Sequence, residues 1–279
     1  MPELPEVETV CRGLEPVLKG QVIMRADIHR GDLRKPFPKN LKAALEGAKV
    51  RGISRRAKYI LLQLDRDLVL VMHLGMSGRI LIKDKDYALQ KHDHVVLHLK
   101  SGTQIVFNDA RRFGMVDLIH QDALEQHPYF AGLGPEPLSN HFSGPVLAAA
   151  LKGKKTAIKM AIMDQRLVVG VGNIYASEAL FMAGIRPATP AGRVQGVLAE
   201  KLAAAIKTVL KKAIQSGGST LRDHRQANGE LGYFQHHFAV YDREGQACPG
   251  CTCDIVKTKG IRRIIQGGRS SFYCPQKQD

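Results

Sequence analysis

Residues 132–145 read GLGPEPLSNHFSGP. The stretch is dense in Gly, Pro, Ser and Asn and carries neither helical nor strand periodicity, so it predicts a connection between two differently built halves. Upstream lie short runs rich in Val, Ile and Leu: Val22–Ile28, Tyr59–Leu64, Leu68–Met72, Arg79–Ile82, Val95–Leu99, Gln104–Phe107 and Met115–Ile119. Turn-formers such as Ser101-Gly102 and Asp65-Arg66-Asp67 separate several of them, which predicts an antiparallel β-sandwich or barrel-like domain. Ahead of these runs, Leu4, Val7, Val10, Cys11, Leu14, Val17 and Leu18 fall at spacings of three and four, the pattern of an amphipathic helix that Pro16 should end or bend. Downstream, residues 146–216 read as helical throughout, most clearly Val194–Gln215, with Gly217-Gly218 as its stop. Residues 219–236 are polar and glycine-bearing, too long for a simple connection, and loops of that length often carry function. The expected organisation is α+β: an N-terminal β-sandwich domain at 1–132, a linker at 133–145, a helical domain at 146–236 and a Cys-bearing tail at 237–279.

The 279 residues are 44% hydrophobic, enough for a sizeable core, and 41 Lys and Arg against 26 Asp and Glu leave a formal charge of +15. A polyanion is the expected partner. Trp is absent and aromatics are 6%, too few for recurring base-stacking platforms, so duplex DNA is a better fit than single strands. No run has the length and apolarity of a membrane helix, and acids at positions 3, 6 and 8 are unlike a signal peptide, which gives the expectation of a soluble, cytoplasmic, monomeric protein. Of five cysteines, Cys248, Cys251, Cys253 and Cys274 crowd into the tail, and that clustering points to a metal rather than to disulfides.

The first residues carry the chemistry. Removal of Met1 exposes the secondary amine of Pro2 beside Glu3 and Glu6. An α-amino group has a pKa near 8, so roughly a tenth is unprotonated at neutral pH, against well under a thousandth for an ordinary Lys. Such an amine can attack a sugar C1′ and form an iminium while a neighbouring carboxyl moves protons. The plainer alternative is that Pro2 and Pro5 start a helix whose N-terminus favours acids. Two other places stand out. Asn173 follows Gly170-Val171-Gly172 at the entry to an apolar helical run, where backbone N–H groups favour a phosphate. His92-Asp93-His94 suggests metal ligands at first sight, but in a strand Asp93 faces away from both histidines.

The segment PELPEVET at residues 2–9 resembles the N-terminal signature of the bacterial formamidopyrimidine-DNA glycosylase and endonuclease VIII family. Five more segments agree in the same order: RRAKY at 55–59, HLGMSG at 73–78, DARRFG at 109–114, GVGNIYASE at 170–178 and GRSSFYC at 268–274. The resemblance implies a base-excision enzyme that turns a damaged nucleotide out of duplex DNA, removes the base and cleaves the strand at the abasic site. It implies Pro2 as the Schiff-base nucleophile, Glu3 as the acid opening the sugar, and Glu6 in support. Lys58 is implied in proton transfer during β-elimination, its plainer reading being a strand lysine facing solvent. Arg269 is implied in δ-elimination and in holding the flanking phosphates, work suited to a guanidinium. Met76, Arg111 and Phe113 match the residues that fill the gap left in the stack, and flanking Gly75, Gly78 and Gly114 place them on loops. His73, His92, Lys154 and Asn173 match DNA-contacting positions, Asn173 within a helix–two-turn–helix element. Residues 219–233 resemble the loop that closes over a flipped purine, which favours oxidised purines (8-oxoguanine, formamidopyrimidines) as substrates over the oxidised pyrimidines of the sister branch. A non-catalytic reader of damaged DNA would share the basic charge but has no use for Pro2, Glu3 or Lys58.

The resemblance also implies a zinc-finger-like β-hairpin with one structural zinc held by two Cys-x-x-Cys pairs. Here the first pair is present as Cys248 and Cys251, while the second is broken: Cys274 is followed by Lys277 where a cysteine is expected. Lys is a poor zinc ligand when protonated, and Cys253 is the remaining cysteine nearby. Either Cys253 completes a rearranged four-thiolate site, or a three-cysteine site holds zinc weakly or not at all while the hairpin persists by packing.

Overall fold

Leu4, Val7, Val10, Cys11, Leu14 and Leu18 form the buried face of helix α1 (Leu4–Leu18) in the computed structural model, which describes residues 2–220, 226–250 and 252–278. The helix starts on a capping box, in which the Glu3 backbone N–H donates to Glu6 Oε2 at 2.8 Å. Pro16 falls in the last turn, and the helix runs past it to Leu18.

The chain packs as two units, Met1–Ala131 with Ser216–Gln235, and Gly132–Gln215 with His236–Asp279. In the first unit, β1 (Ile23–Ile28), the short α2 (Leu41–Leu45), β2 (Val50–Arg56), β3 (Tyr59–Leu64), β4 (Leu68–His73), β5 (Arg79–Lys83), β6 (Asp93–Leu99), β7 (Gln104–Asn108) and β8 (Met115–His120) follow in order. They make two antiparallel four-stranded sheets, β2-β3-β4-β8 and β1-β6-β7-β5. Alternate residues of both sheets, such as Ile60, Leu62 and Leu70 from one and Ile23, Val95, Leu97 and Phe107 from the other, share one core with the apolar face of α1. Strand β2 and the short α2 are elements the periodicity does not announce. In β2, Arg51, Gly52, Arg55 and Arg56 interrupt the apolar pattern, and most of the strand is only half-buried, yet it pairs along β3 from Val50↔Leu64 to Arg56↔Tyr59.

Residues 216–235, counted with the helical domain from sequence, pack instead on this first unit. Three contacts hold them there: Ser219 N–H donates to Glu6 Oε1 at 2.7 Å, Ile82 N–H donates to the Ala227 carbonyl at 2.9 Å, and Ala227 is 1% exposed within the core. Gly13 leaves the space, since a Cβ there would sit 3.3 Å from that of Ala227. Residues 221–225 of the proposed recognition loop lie outside the described residues.

The second unit is less continuously helical than its sequence suggests. It holds α3 (Gly144–Leu151), α4 (Ile158–Ile162), α5 (Asn173–Ala183) and α6 (Val197–Gln215), with Gly153, Gly170, Gly184 and Gly196 at positive φ in the connections. Residues 132–145 are no loose tether. Phe142 is fully buried, Gly134 N–H donates to the Gln165 carbonyl, and Val169 N–H donates to that of Pro135. The tail adds α7 (Ile255–Thr258) and a hairpin of β9 (Arg262–Gln266) and β10 (Arg269–Tyr273), turned by Gly267-Gly268 at positive φ. Among the described residues, no helix is long and apolar enough to cross a membrane.

The tight seat of Ala227 gives a test of this packing. Ala227→Leu adds volume where none is open and is expected to lower the unfolding free energy by about 1–3 kcal/mol in urea titration, whereas an unattached segment would tolerate it.

Candidate functional site

Pro2, Glu3 and Glu6 are all buried at the head of α1. Both Glu6 carboxylate oxygens accept backbone N–H groups, one from Glu3 and one from Ser219, so the carboxylate fixes the backbone beside Pro2. Gly218 closes against it at φ +80°, where a Cβ would come within 3.1 Å of Glu6 Oε1. The positive φ favours glycine at that position, and the close approach adds a crowded contact to any side chain placed there.

Lys58 is 7% exposed and sits in the two-residue turn between β2 and β3, after Ala57 at φ +54°. The solvent-facing strand lysine of the plainer reading is therefore excluded. Arg55 ties the turn to α1: its Nε donates to Glu8 Oε2 and its Nη1 to the Ala57 carbonyl, both at 2.9 Å. Burial works to raise the Glu8 carboxyl, but Arg12 and Arg55 outweigh it and hold the group below its ordinary range. Across the sheet Tyr59 pairs with His73, their rings 5.0 Å apart. Burial, then the Lys58 ammonium and Arg34, push the His73 imidazole down to about 4. The ring is neutral at pH 7, and because Gly75 N–H donates to Nδ1 at 3.0 Å, its hydrogen belongs on Nε2. A neutral ring keeps one N–H donor, a group that suits a phosphate oxygen.

Two loops of the same unit carry Met76, Arg111 and Phe113. Met76 is 38% and Phe113 46% exposed, the Arg111 guanidinium lies 5.0 Å above the Phe113 ring, and a core role for this Met and Phe is excluded. What holds them is Asp109, fully buried. Its Oδ1 accepts Ser77 Oγ–H at 2.5 Å and its Oδ2 accepts Gly114 N–H at 2.7 Å, while Arg111 N–H donates to Ser77 Oγ at 3.0 Å. Gly75, at φ +60°, brings the loops into contact, since a Cβ there would fall 2.3 Å from the Phe113 backbone. His92 is exposed at φ +120° just before β6, whereas His94 is buried and bonded to the Asp109 carbonyl. Asp93 is engaged by Tyr87 and Asn108, so this trio does not gather as metal ligands.

In the second unit Asn173 begins α5 after Gly170 at φ +81°. Its Oδ1 accepts the Lys159 ammonium at 2.6 Å and its Nδ2 donates to Tyr241 Oη at 3.3 Å. Glu178, on the same helix, receives the N–H groups of Ala239, Val240 and Tyr241 at 2.8–3.0 Å, and its burial raises the carboxyl against their pull. Lys154 is exposed in the loop before α4, and Arg269 is exposed at the start of β10, directly after the Gly-Gly turn.

The tail brings three of the four sequence-expected thiols together. Cys248 Sγ lies 3.2 Å from Cys253 Sγ, Cys253 Sγ lies 3.9 Å from Cys274 Sγ, and all three fall within 4.8 Å of one another. Tetrahedral zinc with bonds near 2.3 Å places neighbouring sulfurs roughly 3.8 Å apart, so the donor set fits the ion. Cys251 lies outside the described residues. Lys277 offers the cluster only its backbone N–H, 3.4 Å from Cys274 Sγ, while its ammonium lies 4.1 Å over the Phe181 ring.

Two antiparallel sheets in one unit and a helix–two-turn–helix element with a Cys-bearing hairpin in the other define an α+β protein of the DNA-engaging kind. The comparisons name its kin. The profile of the formamidopyrimidine-DNA glycosylase N-terminal domain matches residues 1–116, and that of the formamidopyrimidine-DNA glycosylase H2TH domain matches residues 133–225. The formamidopyrimidine-DNA glycosylase of Dinoroseobacter shibae is 54% identical over 287 aligned residues, covering 100% of both chains. Among solved structures, a glycine-to-proline mutant of the Lactococcus lactis FPG protein bound to a Fapy-dG-containing DNA superposes with TM-score 0.90 at 33% identity, covering 100% of both chains. The Lactococcus lactis protein with abasic-site DNA gives TM-score 0.88 at 34% identity over 99% of each chain. The chain belongs to the formamidopyrimidine-DNA glycosylase family.

The residues that sequence reasoning missed are the buried Asp109, Lys159 and Glu178 and the half-buried pair Glu8 and Arg55. Asp109 and Glu178 stand inside quoted segments, but their role shows only once the backbone N–H groups around them are placed.

The depressed His73 group sets a pH signature. Unfolded His titrates near 6.5 and folded His73 near 4, so between those values the unfolded chain binds more protons. Stability contributed by neutral His73 is present above about 6.5 and is lost as pH falls towards about 4. Urea titrations over that window should show up to about 3 kcal/mol of this slope removed by His73→Asn; an unchanged slope would assign it to other groups.

Proposed function

We propose that the protein is a bifunctional base-excision-repair enzyme: it removes oxidised purines, 8-oxoguanine and formamidopyrimidines, from duplex DNA and then cleaves the strand at the abasic site. The observation that carries this reading is the head of α1, where Pro2 adjoins a buried carboxylate pair whose backbone is pinned by Glu6. The Dinoroseobacter relative's name and the Fapy-dG and abasic-site DNA in the Lactococcus complexes support the substrate class. The partner is double-stranded DNA, met by a monomer carrying formal charge +15, in the cytoplasm beside the nucleoid.

In the first step the Pro2 nitrogen bonds to C1′ as the bond from C1′ to the base breaks, and the base leaves with a proton. Glu3 delivers the proton that opens the sugar ring and gives an iminium. Lys58 moves protons in the β-elimination that breaks the 3′ phosphate bond; its buried place in the β2–β3 turn suits a group held still near neutral His73. Arg269 serves the δ-elimination and the flanking phosphates. Met76, Arg111 and Phe113 fill the space vacated by the flipped nucleotide, Arg111 reading the orphaned partner base. His73, His92, Lys154 and Asn173 hold the backbone.

We further propose one structural zinc, held by Cys248, Cys251, Cys253 and Cys274, with Cys253 in place of the cysteine expected at 277. The support is the close set of three described thiols and the turn of the Lys277 ammonium toward Phe181. Zinc supplies a cross-link that holds the hairpin base, and no step of the reaction passes through it.

Borohydride reduction with 8-oxoguanine DNA should trap the wild-type protein covalently, and Pro2→Gly should lose most trapping and excision. Glu3→Gln should slow excision about 10²-fold or more with duplex affinity kept. Full activity in Pro2→Gly, or faster release of thymine glycol than of 8-oxoguanine opposite cytosine, would overturn the mechanism or the purine assignment respectively. For the metal, protein purified without added zinc should carry about one zinc per chain. Cys253→Ser should lower that stoichiometry, and an unchanged value rejects Cys253 as ligand.

A further inference from the structure

Lys159 in α4 is 1% exposed and belongs to none of the roles above. Its ammonium lies 2.6 Å from Asn173 Oδ1, 2.8 Å from the Ser270 carbonyl and 2.8 Å from Ser271 Oγ. An ammonium donates three hydrogens and accepts none, so it decides which way the Asn173 amide faces: oxygen inward, NH2 outward. The NH2 then has Tyr241 Oη at 3.3 Å for one hydrogen and keeps its other for a further acceptor. The same ammonium grips the two residues that follow Arg269 in β10, and Ser271 passes the contact on by donating to Gln266 Oε1 at 2.7 Å. Gln266 is the cross-strand partner of Arg269. One buried cation therefore sets both an amide at the start of α5 and the end of the hairpin.

We propose that Lys159 is a positioning residue for DNA binding, orienting the Asn173 amide so that it offers a donor to a phosphate oxygen, and holding β10 so that Arg269 does the same. This rests on the reading of Asn173 and Arg269 as phosphate contacts. Without the ammonium the amide is free to turn its oxygen outward, where it meets a phosphate as one acceptor meets another.

The test is a double-mutant cycle on duplex DNA carrying a tetrahydrofuran abasic analogue at fixed salt, joined to the side-chain amide resonances of Asn173 in the free protein. Lys159→Met should weaken binding about tenfold, the size expected for losing one charge-supported hydrogen bond. In an Asn173→Ala background the same change should cost clearly less, because the amide it orients is gone. Equal losses in both backgrounds mean a merely structural lysine and overturn the proposal, as does unchanged binding. Should Lys159→Met not fold, Lys159→Gln carries the same cycle, its single amide group being unable to serve three acceptors. In the free protein the Asn173 NH2 resonances should shift in either variant, and unmoved resonances overturn the orienting role whatever DNA binding does. A wild-type protein that binds no abasic duplex sinks the functional reading instead, and the resonances still judge Lys159.

Discussion

Glu6 is a carboxylate that folding has taken out of water, at 2% exposure, and everything at the head of the chain depends on satisfying it. A buried carboxylate without donors costs several kcal/mol, so the groups that reach it are obligatory rather than decorative. One is the backbone N–H of Glu3, which starts α1 at a fixed residue and so fixes Pro2 beside it. Another is the N–H of Ser219, some two hundred residues away in sequence, which draws the segment after α6 onto the first unit. The Gly217-Gly218 pair, legible as a helix stop, answers a second demand there, because Gly218 passes Glu6 at positive φ, in a backbone conformation that a residue with a Cβ rarely adopts. The backbone at Pro2 is thus held by Glu6.

The same division recurs elsewhere. Met76, Arg111 and Phe113 are exposed and suited to meeting nucleic acid, yet Asp109, fully buried, determines their loop geometry through Ser77 and Gly114. Asn173 and Arg269 point to phosphate chemistry, yet buried Lys159 joins them. Glu178 gathers three backbone N–H groups so that Tyr241 can reach Asn173. In each case an ion in low dielectric, fully hydrogen-bonded, fixes backbone that would otherwise be a mobile loop. Rigid loops lower the ordering entropy that binding must otherwise meet.

That division also explains what the sequence could reveal. The α+β class, α1, seven strands of the sandwich and the helix α6 follow from periodicity, because apolar spacing is a direct imprint of burial. Strand β2 does not, since Arg51, Arg55 and Arg56 give it no apolar face to read, and its place is fixed by pairing with β3. The breaks between α3, α4, α5 and α6 fall where the sequence does carry stop signals: Gly153, Gly170 to Gly172, and Gly184 to Gly196 with Pro187 and Pro190. The apolar density of the flanking helices masks them in a coarse reading. At 132–145 composition marks the boundary, which falls at Ala131 and Gly132, but it does not show that Phe142 anchors the stretch in the second unit. Buried ion hubs are invisible by nature, since Asp109 or Lys159 looks like any surface charge until its acceptors and donors are placed around it.

The hairpin shows why a broken ligand pattern need not disturb the residue it serves. Phe181, Val240, Ile261 and Phe272 form a small core with Cys248 and Cys274, and Lys277 lays its ammonium on Phe181 at the edge of that core. Gln278, also buried, donates to the Ile185 carbonyl at 2.8 Å and receives the Cys274 N–H, tying the end of the described chain to α5's exit. At the opposite end of the hairpin, Lys159 holds Ser270 and Ser271 next to Arg269, while Gly267 rests on Met160 of α4. The thiols and the arginine thus have separate anchorages on the same two strands. A metal at the thiols would stiffen the base of the hairpin, but the residues beside Arg269 in β10 are held by the lysine beneath them.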